Sequence, residues 1–572
     1  MLETILGLPR RLSLGTFVVG FAPLITLSLL GCSGKTSDAS RDAGHGVPEA
    51  GRHVPDVVQP PASHVEVLTQ HYDQGRTGAN MGETVLTQAN VNKSSFGKLW
   101  SFGVQGLIYA QPLYVSNYIV NGSAHDVLVL ATMHNLVYAI DADTGTQLWE
   151  SPSLGMPVPS NIIPTQNIQI ETGILSTPVI DRAAGLIYLT NKTFDASSGT
   201  QTYWIHVLYL ATGQDAPGSP QPITASVPGT SDAGAITITF DAAKQAQRPG
   251  LLLVNGTVYL GFASHEDLQP FHGWILGYQY NAPRKSLTQT QVFNTTPDGT
   301  DAGIWQGGKG LVADSSNNIY AIASNGTVNA QSGGHSYGMT FLKLSPELEV
   351  LDWYTPQNFV SLNIGDWDLG SGGALLVPGT DLLLGGGKQG VVYVIDSTDM
   401  GHLDTGGNTS VQDFQATNAQ WNGIFGGPVF WNSATTPTYY IWGESDVLRA
   451  FSLSNGKLST RPTHTSLVST PPPGGGADPV GALAVSSNGS TDGTGIVWAT
   501  IPTSDPDHAT VPGVAYAFNA ETLDELWDSN QNLQRDNLGS WAKFVPPTVV
   551  NGKVYIATHS QQLLAYGLLD TK

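Results

Sequence analysis

The chain has 572 residues, of which 66 are glycine, 35 proline and only 12% charged, with one cysteine and a formal net charge of −21. So many turn formers and so few charges exclude a helical bundle, and the acidic balance repels a phosphate backbone, so no nucleic-acid partner is expected. No run of five or more like charges occurs, so the acidity reads as a solvated surface.

Residues 1–32 place Arg10 and Arg11 before an apolar segment, Leu12 to Leu30, that ends Leu29-Leu30-Gly31-Cys32. This resembles a bacterial lipoprotein signal, in which Cys32, the sole cysteine, is lipidated and becomes the mature N-terminus. An uncleaved membrane anchor and an ordinary signal peptide with an incidental cysteine stay open as alternatives, although Pro23 and several glycines interrupt a spanning helix. Residues 33–64 carry few bulky apolar side chains and no periodicity, and read as a flexible tether. The folded body is expected over 65–572.

Within the body, His71-Tyr72-Asp73-Gln74-Gly75-Arg76-Thr77-Gly78 belongs to an arm that precedes the first repeats, with Arg76 expected to pair with carboxylates of the first and last of them. The clearest unit runs from Val127 to Trp149. Two apolar runs, Val127 to Ala131 and Leu136 to Ile140, an Asp-Thr-Gly turn from Asp141 to Gly145 and a closing Leu148-Trp149 predict three antiparallel strands. A calcium loop is not expected at Asp141-x-Asp143-x-Gly145, because the glutamate that such a loop requires is missing. The unit recurs from Gly513 to Trp527 and, in part, at Gly390 to Asp396 and Val447 to Gly456. Strand, Tyr-Ala-Ile-Asp-Ala-x-Thr-Gly and Leu-Trp together are similar to the repeat of the pyrroloquinoline quinone (PQQ) type β-propellers, and His71 to Gly78 resembles the leading segment of those quinoproteins.

Runs expected to form innermost strands begin near Tyr109, Gly173, Arg248, Trp305, Leu369, Ile424, Gly481 and Phe544. Their spacing of roughly 55 to 75 residues suits one four-stranded blade each and predicts an all-β, eight-bladed propeller. The last copy offers three strands, Phe544 to Val550, Lys553 to Thr558 and Gln562 to Leu568. Gly97 to Phe102 has the look of an outer strand with no inner strand before it. The front segment is therefore predicted to complete the last blade and close the ring.

Innermost strands converge on the axis, so Gln111, Arg248, Trp305, Gln306, Lys309, Asp368 and Lys543 are candidates to line one central funnel, with plugging of the channel as the alternative. His265 and His272 are candidate metal ligands, although spacing supplies no third ligand. No nucleophile elbow, phosphate loop, His-Glu-x-x-His or Cys-x-x-Cys appears. The resemblance implies PQQ over a tryptophan, under a ring formed by adjacent cysteines, with calcium and an aspartate base. This chain has no adjacent cysteines. The leading expectation is an exported, lipid-anchored propeller of the bacterial envelope, at the outer membrane or periplasmic face. It would act as a binding or scaffold module for envelope proteins, like the envelope assembly lipoproteins that use such repeats without a cofactor. The alternative is a divergent quinoprotein dehydrogenase acting on an alcohol or sugar, with PQQ and calcium near Trp305 and Asp368 as the catalytic base.

Overall fold

The computed structural model describes Gln59 and residues 64–570, except 166–167, 232–235, 419–422 and 473–478. The described residues belong to one compact unit, Val58–Lys572. The expected signal, Cys32 and nearly all of the tether lie outside them.

Among the described residues, eight sheets of four or five strands form eight blades. Blade 1 runs through Leu113–Val120, Ser123–Ala131, Val137–Asp141 and Gln147–Glu150. Its alternating apolar runs bury both faces, one against each neighbouring blade. The turn before Trp149 forms as its residue types dictate: the Asp141 carboxylate accepts the amides of Asp143 and Thr144 at 3.1 and 2.9 Å. Gly145 sits there at φ +71°, and a Cβ on it would stand 2.8 Å from the Trp100 ring. Both the backbone and the neighbouring side chain demand glycine at that point.

Innermost strands of the other blades begin at Val179, Leu252, Val312, Ala374, Val429, Ala482 and Thr548. Each starts one to seven residues after its expected onset. The intervening residues are loops that descend toward the axis before pairing begins. Apolar clusters straddle successive blades: one joins blades 8, 1 and 2, and others join each further neighbouring pair up to blades 7 and 8. No blade covers itself, so stability is shared around the ring.

Closure occurs as the sequence predicts. Phe96–Gly103 pairs antiparallel with Gln562–Leu568, Trp100 opposite Ala565 and Lys98 opposite Tyr566, with a bulge at Leu99. The Phe96 ring packs edge-on against Trp527 at 5.0 Å and tilted against Trp498 at 5.4 Å, so the front of the chain fills the seam between blades 7 and 8.

The arm then binds every blade. Carbonyls of Leu68, Gln74, Gly75, Thr77 and Gly78 accept amides of Ile180, Ala313, Leu376, Phe430 and Val485, in blades 2, 4, 5, 6 and 7. Val67 exchanges backbone bonds with Tyr114 of blade 1. Gln74 Nε2 donates to the Leu253 carbonyl of blade 3 at 2.8 Å, and Asn80 Nδ2 to the Val549 carbonyl of blade 8 at 2.9 Å. These contacts fall on the innermost strands themselves, so the arm crosses them around the axis. Arg76 departs from expectation. It is fully buried, and its guanidinium donates to the carbonyls of Leu311, Gln70 and Leu251 and to Thr69 Oγ1, not to carboxylates of the first and last blades. A planar fork with five donors suits a hub of carbonyls better than a single acid would.

Candidate functional site

At the N-terminal end of the innermost strands the loops enclose a cavity of about 290 Å³. Two kinds of segment build it: those that lead into the innermost strands, and the turns that join second to third strands. In a propeller both kinds lie on one face of the ring. Arg248, Trp305, Asp368 and Lys543 come from the first kind, while Ser264, Asp267, Ser324, Asn325 and Lys388 come from the second.

Four of the seven expected funnel residues therefore line the cavity: Arg248, Trp305, Asp368 and Lys543. Gln111, Gln306 and Lys309 do not, and this corrects the expectation for them. Gln111 Oε1 accepts the His71 amide at 2.9 Å, and Lys309 Nζ donates to the Arg76 carbonyl at 2.7 Å. Gln306 accepts the Ile322 amide and donates to the Gly310 carbonyl. These three lie deeper, where they fasten the arm and the loops beneath the cavity. Burial depresses the Lys309 ammonium well below its ordinary range, with Asp73 opposing and repulsion from Arg76 adding to the depression.

An aromatic plate separates the cavity from that layer. Phe425 and Phe544 stack at 5.9 Å with 2° between planes, and Trp305 meets Phe425 edge-on at 5.7 Å. Above it, Lys388 Nζ stands 5.7 Å from the Trp305 ring centre. The same ammonium bonds Asp368 at 2.8 Å and Asp366 at 3.1 Å. Against burial, these two carboxylates hold Lys388 protonated well above the usual lysine range. The loops are tightly set, since a Cβ on Gly387 would come within 1.9 Å of the Asp368 carbonyl.

Asp267 has the reverse balance. Its surroundings in the cavity wall, followed by the negative charges of Asp368 and Asp366, push its carboxyl up to about 7, with Lys388 opposing. Between the ordinary carboxylate value of about 4 and that value, the folded protein keeps a proton that the unfolded chain has released. The stability this group contributes is fully present below about pH 4 and is lost as pH rises through about 7. Asp267→Asn is therefore expected to gain stability relative to the parent across that interval, with a constant difference above it. Paired urea titrations between about pH 4 and pH 9 check this, and a difference independent of pH would contradict it.

Several polar atoms at the cavity have no partner in the protein. They are the Asn325 side-chain oxygen and the hydroxyls of Ser264 and Ser324, all withdrawn from solvent. Ser324 as a whole is 5% exposed. Natural interiors rarely leave such groups unsatisfied without a water or ligand to meet them.

The two candidate metal histidines have separate partners. His265 Nε2 lies 3.0 Å from the buried Lys192 ammonium, and His272 Nδ1 lies 2.9 Å from Thr296 Oγ1. Among the described residues no three His, Cys, Asp or Glu side chains gather to hold a metal ion. The Lys192 nitrogen occupies the Nε2 side of His265 and no further ligands gather there among the described residues, which corrects the expectation for His265.

Sequence reasoning missed Ser264, Asp267, Ser324, Asn325, Asp366 and Lys388. The available signal was the turn after each second strand, such as Gly387-Lys388 and Ser324-Asn325, which stands at a fixed offset from the innermost run.

No family model matches the chain, and no curated protein matches it in sequence. Among solved structures it is similar to the quinohemoprotein alcohol dehydrogenase of Comamonas testosteroni, with a TM-score of 0.55 and 13% identity, over 89% of this chain and 81% of that one. A quinohemoprotein alcohol dehydrogenase of Pseudomonas putida HK5 gives a TM-score of 0.54 and 13% identity over the same shares. At this identity the likeness is one of fold alone.

Proposed function

We propose that the protein is a binding propeller of the bacterial envelope that captures a small polar molecule in its axial cavity. One observation carries this reading: a cavity walled by the aromatic rings of Trp305 and Phe271 gathers charged side chains together with the unpartnered Asn325 oxygen and Ser324 hydroxyl. Concave sites with an apolar floor and a few convergent polar groups are how proteins hold small ligands. A thermal-shift screen of polar metabolites against the full-length protein and the cavity-filling variant Ser264→Phe tests it. Compounds that stabilise the parent and not the variant support a ligand site, and an identical response from both proteins removes it. Anchoring rests on the single cysteine at the end of the leader. Cys32→Ser is expected to shift the protein from the membrane to the soluble fraction, and unchanged membrane association would refute lipidation at that residue. Envelope proteins docking on the outer blade edges remain compatible with the same placement.

A second reading, a quinone-dependent oxidoreductase, is favoured by one specific arrangement. Trp305, the Lys388 ammonium above its ring and the Asp368 carboxylate at 2.8 Å from that ammonium share one cavity. PQQ fits in part: Trp305 offers a flat wall, and Arg248 and Lys543 offer cations for its carboxylates. If bound, the quinone would supply a two-electron acceptor, and Asp368 would hold the proton taken from an alcohol or sugar. Calcium does not fit. Asp366 and Asp368 are both paired with Lys388, and the sole cysteine of the chain excludes a ring of adjacent cysteines. Adding PQQ, with and without calcium, to the full-length protein separates the readings. A quinone absorption band and dye reduction with alcohols or sugars would favour the oxidoreductase, and absence of both would remove it.

A further inference from the structure

The axial cavity is electrically two-sided. On one side stand Arg248, its guanidinium 4.8 Å from the centre of the Phe544 ring, and Lys543, its ammonium 5.5 Å from the same ring. Asp507 follows at 3.9 Å from Lys543. The two cations act on one spot: burial first, then Arg248 and Lys543, hold the His559 imidazole beside them at about 3. On the other side are Asp267, Asp366 and Asp368, whose charges act on one another, with Lys388 as the one cation among them. Lys543 leads into blade 8, whereas Asp366, Asp368 and Lys388 belong to the approach to and turn of blade 5, so these two groups come from separate arcs of the ring, while Arg248 and Asp267 both come from blade 3, one from its approach and one from its turn.

Hydrogen-bonding capacity divides in the same way. Arg248 and Lys543 can only donate. On the acidic side, ionised carboxylates can only accept, and the unpartnered Asn325 oxygen is an acceptor as well. A ligand that satisfies both sides therefore accepts at one end and donates at the other. A neutral polyol would leave the excess negative charge around Asp267 uncompensated, whereas an ammonium offsets it. The planar fork of an arginine suits a carboxylate.

We propose that the cavity takes a small zwitterion of the amino-acid or dipeptide class. Its carboxylate lies toward Arg248 and Lys543, its ammonium toward Asp267, Asp366 and the Asn325 oxygen, and an apolar side group against Trp305. A volume of about 290 Å³ admits a molecule of this size. The inference rests on the reading that the cavity is a ligand site, and it adds the class of ligand.

Isothermal titration of the full-length protein with L-phenylalanine, 3-phenylpropanoate, phenethylamine and glucose tests it. Phenylalanine is expected to bind at least about tenfold more tightly than either molecule carrying half of its charges, and glucose weakest of all. Lys543→Gln should weaken phenylalanine and 3-phenylpropanoate by about tenfold while sparing phenethylamine. Asp267→Asn should weaken phenylalanine and phenethylamine while sparing 3-phenylpropanoate. The two opposite patterns distinguish a polarised site from general damage to the fold. The class is overturned if 3-phenylpropanoate or glucose binds as tightly as phenylalanine, or if none of the four binds. In either case the metabolite screen against Ser264→Phe still decides independently whether the cavity is a ligand site at all.

Discussion

Replacing Arg76 by methionine is expected to lower the stability of the folded body by about 3–5 kcal/mol, because it leaves buried acceptors without a donor while keeping much of the side-chain volume. The guanidinium bonds the carbonyls of Leu311 at 2.8 Å, Gln70 at 2.6 Å and Leu251 at 3.0 Å, and Thr69 Oγ1 at 2.6 Å. Leu251 and Leu311 immediately precede paired residues of the innermost strands of blades 3 and 4. Loss of the arginine therefore unfastens the arm from the ring at its centre. Burial already draws the Arg76 guanidinium down to about 10, with Asp73 opposing, yet the group stays charged at neutral pH. A fall in the urea midpoint, with faster proteolysis within residues 67–80, is the expected result. A stability change under about 0.5 kcal/mol would show that the arm merely rests on the ring.

The second large effect falls on the closing strand. Phe96→Ala is expected to cost about 3–5 kcal/mol, the range for deleting a fully buried phenylalanine from a packed core. Phe96 is completely buried, with Trp498, Trp527 and Tyr566 in the same cluster. Its removal opens a cavity at the joint between blades 7 and 8. The matched control is Leu99→Ala, because Leu99 lies at the bulge and is 39% exposed. A control that costs as much as Phe96→Ala would mean that strand pairing, and not the packing of this ring, supplies the effect.

The architecture was legible in the sequence because a propeller repeats one local pattern. Lys553–Thr558 and Gln562–Leu568 form with the boundaries expected of them, since alternation and turn residues act over only a few positions. Closure was legible because three strands at the back and an orphan Leu99-Trp100 at the front admit one economical solution. The cavity was legible only by halves. Position at the head of an innermost run located Arg248, Trp305, Asp368 and Lys543, but the same rule also selected Gln111, Gln306 and Lys309. Those three lie one layer deeper, a difference of depth along the axis that strand alternation does not encode. The role of Arg76 was misread for a related reason. In a 12%-charged chain a buried arginine suggests a carboxylate partner, whereas the crowding of eight blades at the axis supplies backbone carbonyls instead. Asp267 and Lys388 were missed because the charges that act on one another there come from turns more than a hundred residues apart in sequence.

Blade number, the seam at Phe96 and the position of the axial cavity all follow from one feature, the front of the chain completing the final blade. Oxidative cross-linking tests it directly. Gly103 and Gln562 are register partners, both exposed, and a Cβ on Gly103 meets nothing within 4 Å. Facing residues of an antiparallel pair stand about 4.5–5.5 Å apart, within reach of a disulfide. In a Cys32→Ser background, Gly103→Cys with Gln562→Cys is expected to form an intramolecular disulfide in folded protein, and Gly103→Cys with Leu568→Cys is not. Equal cross-linking of both pairs, or none of the first, would contradict the closure and with it the eight-bladed ring around the cavity.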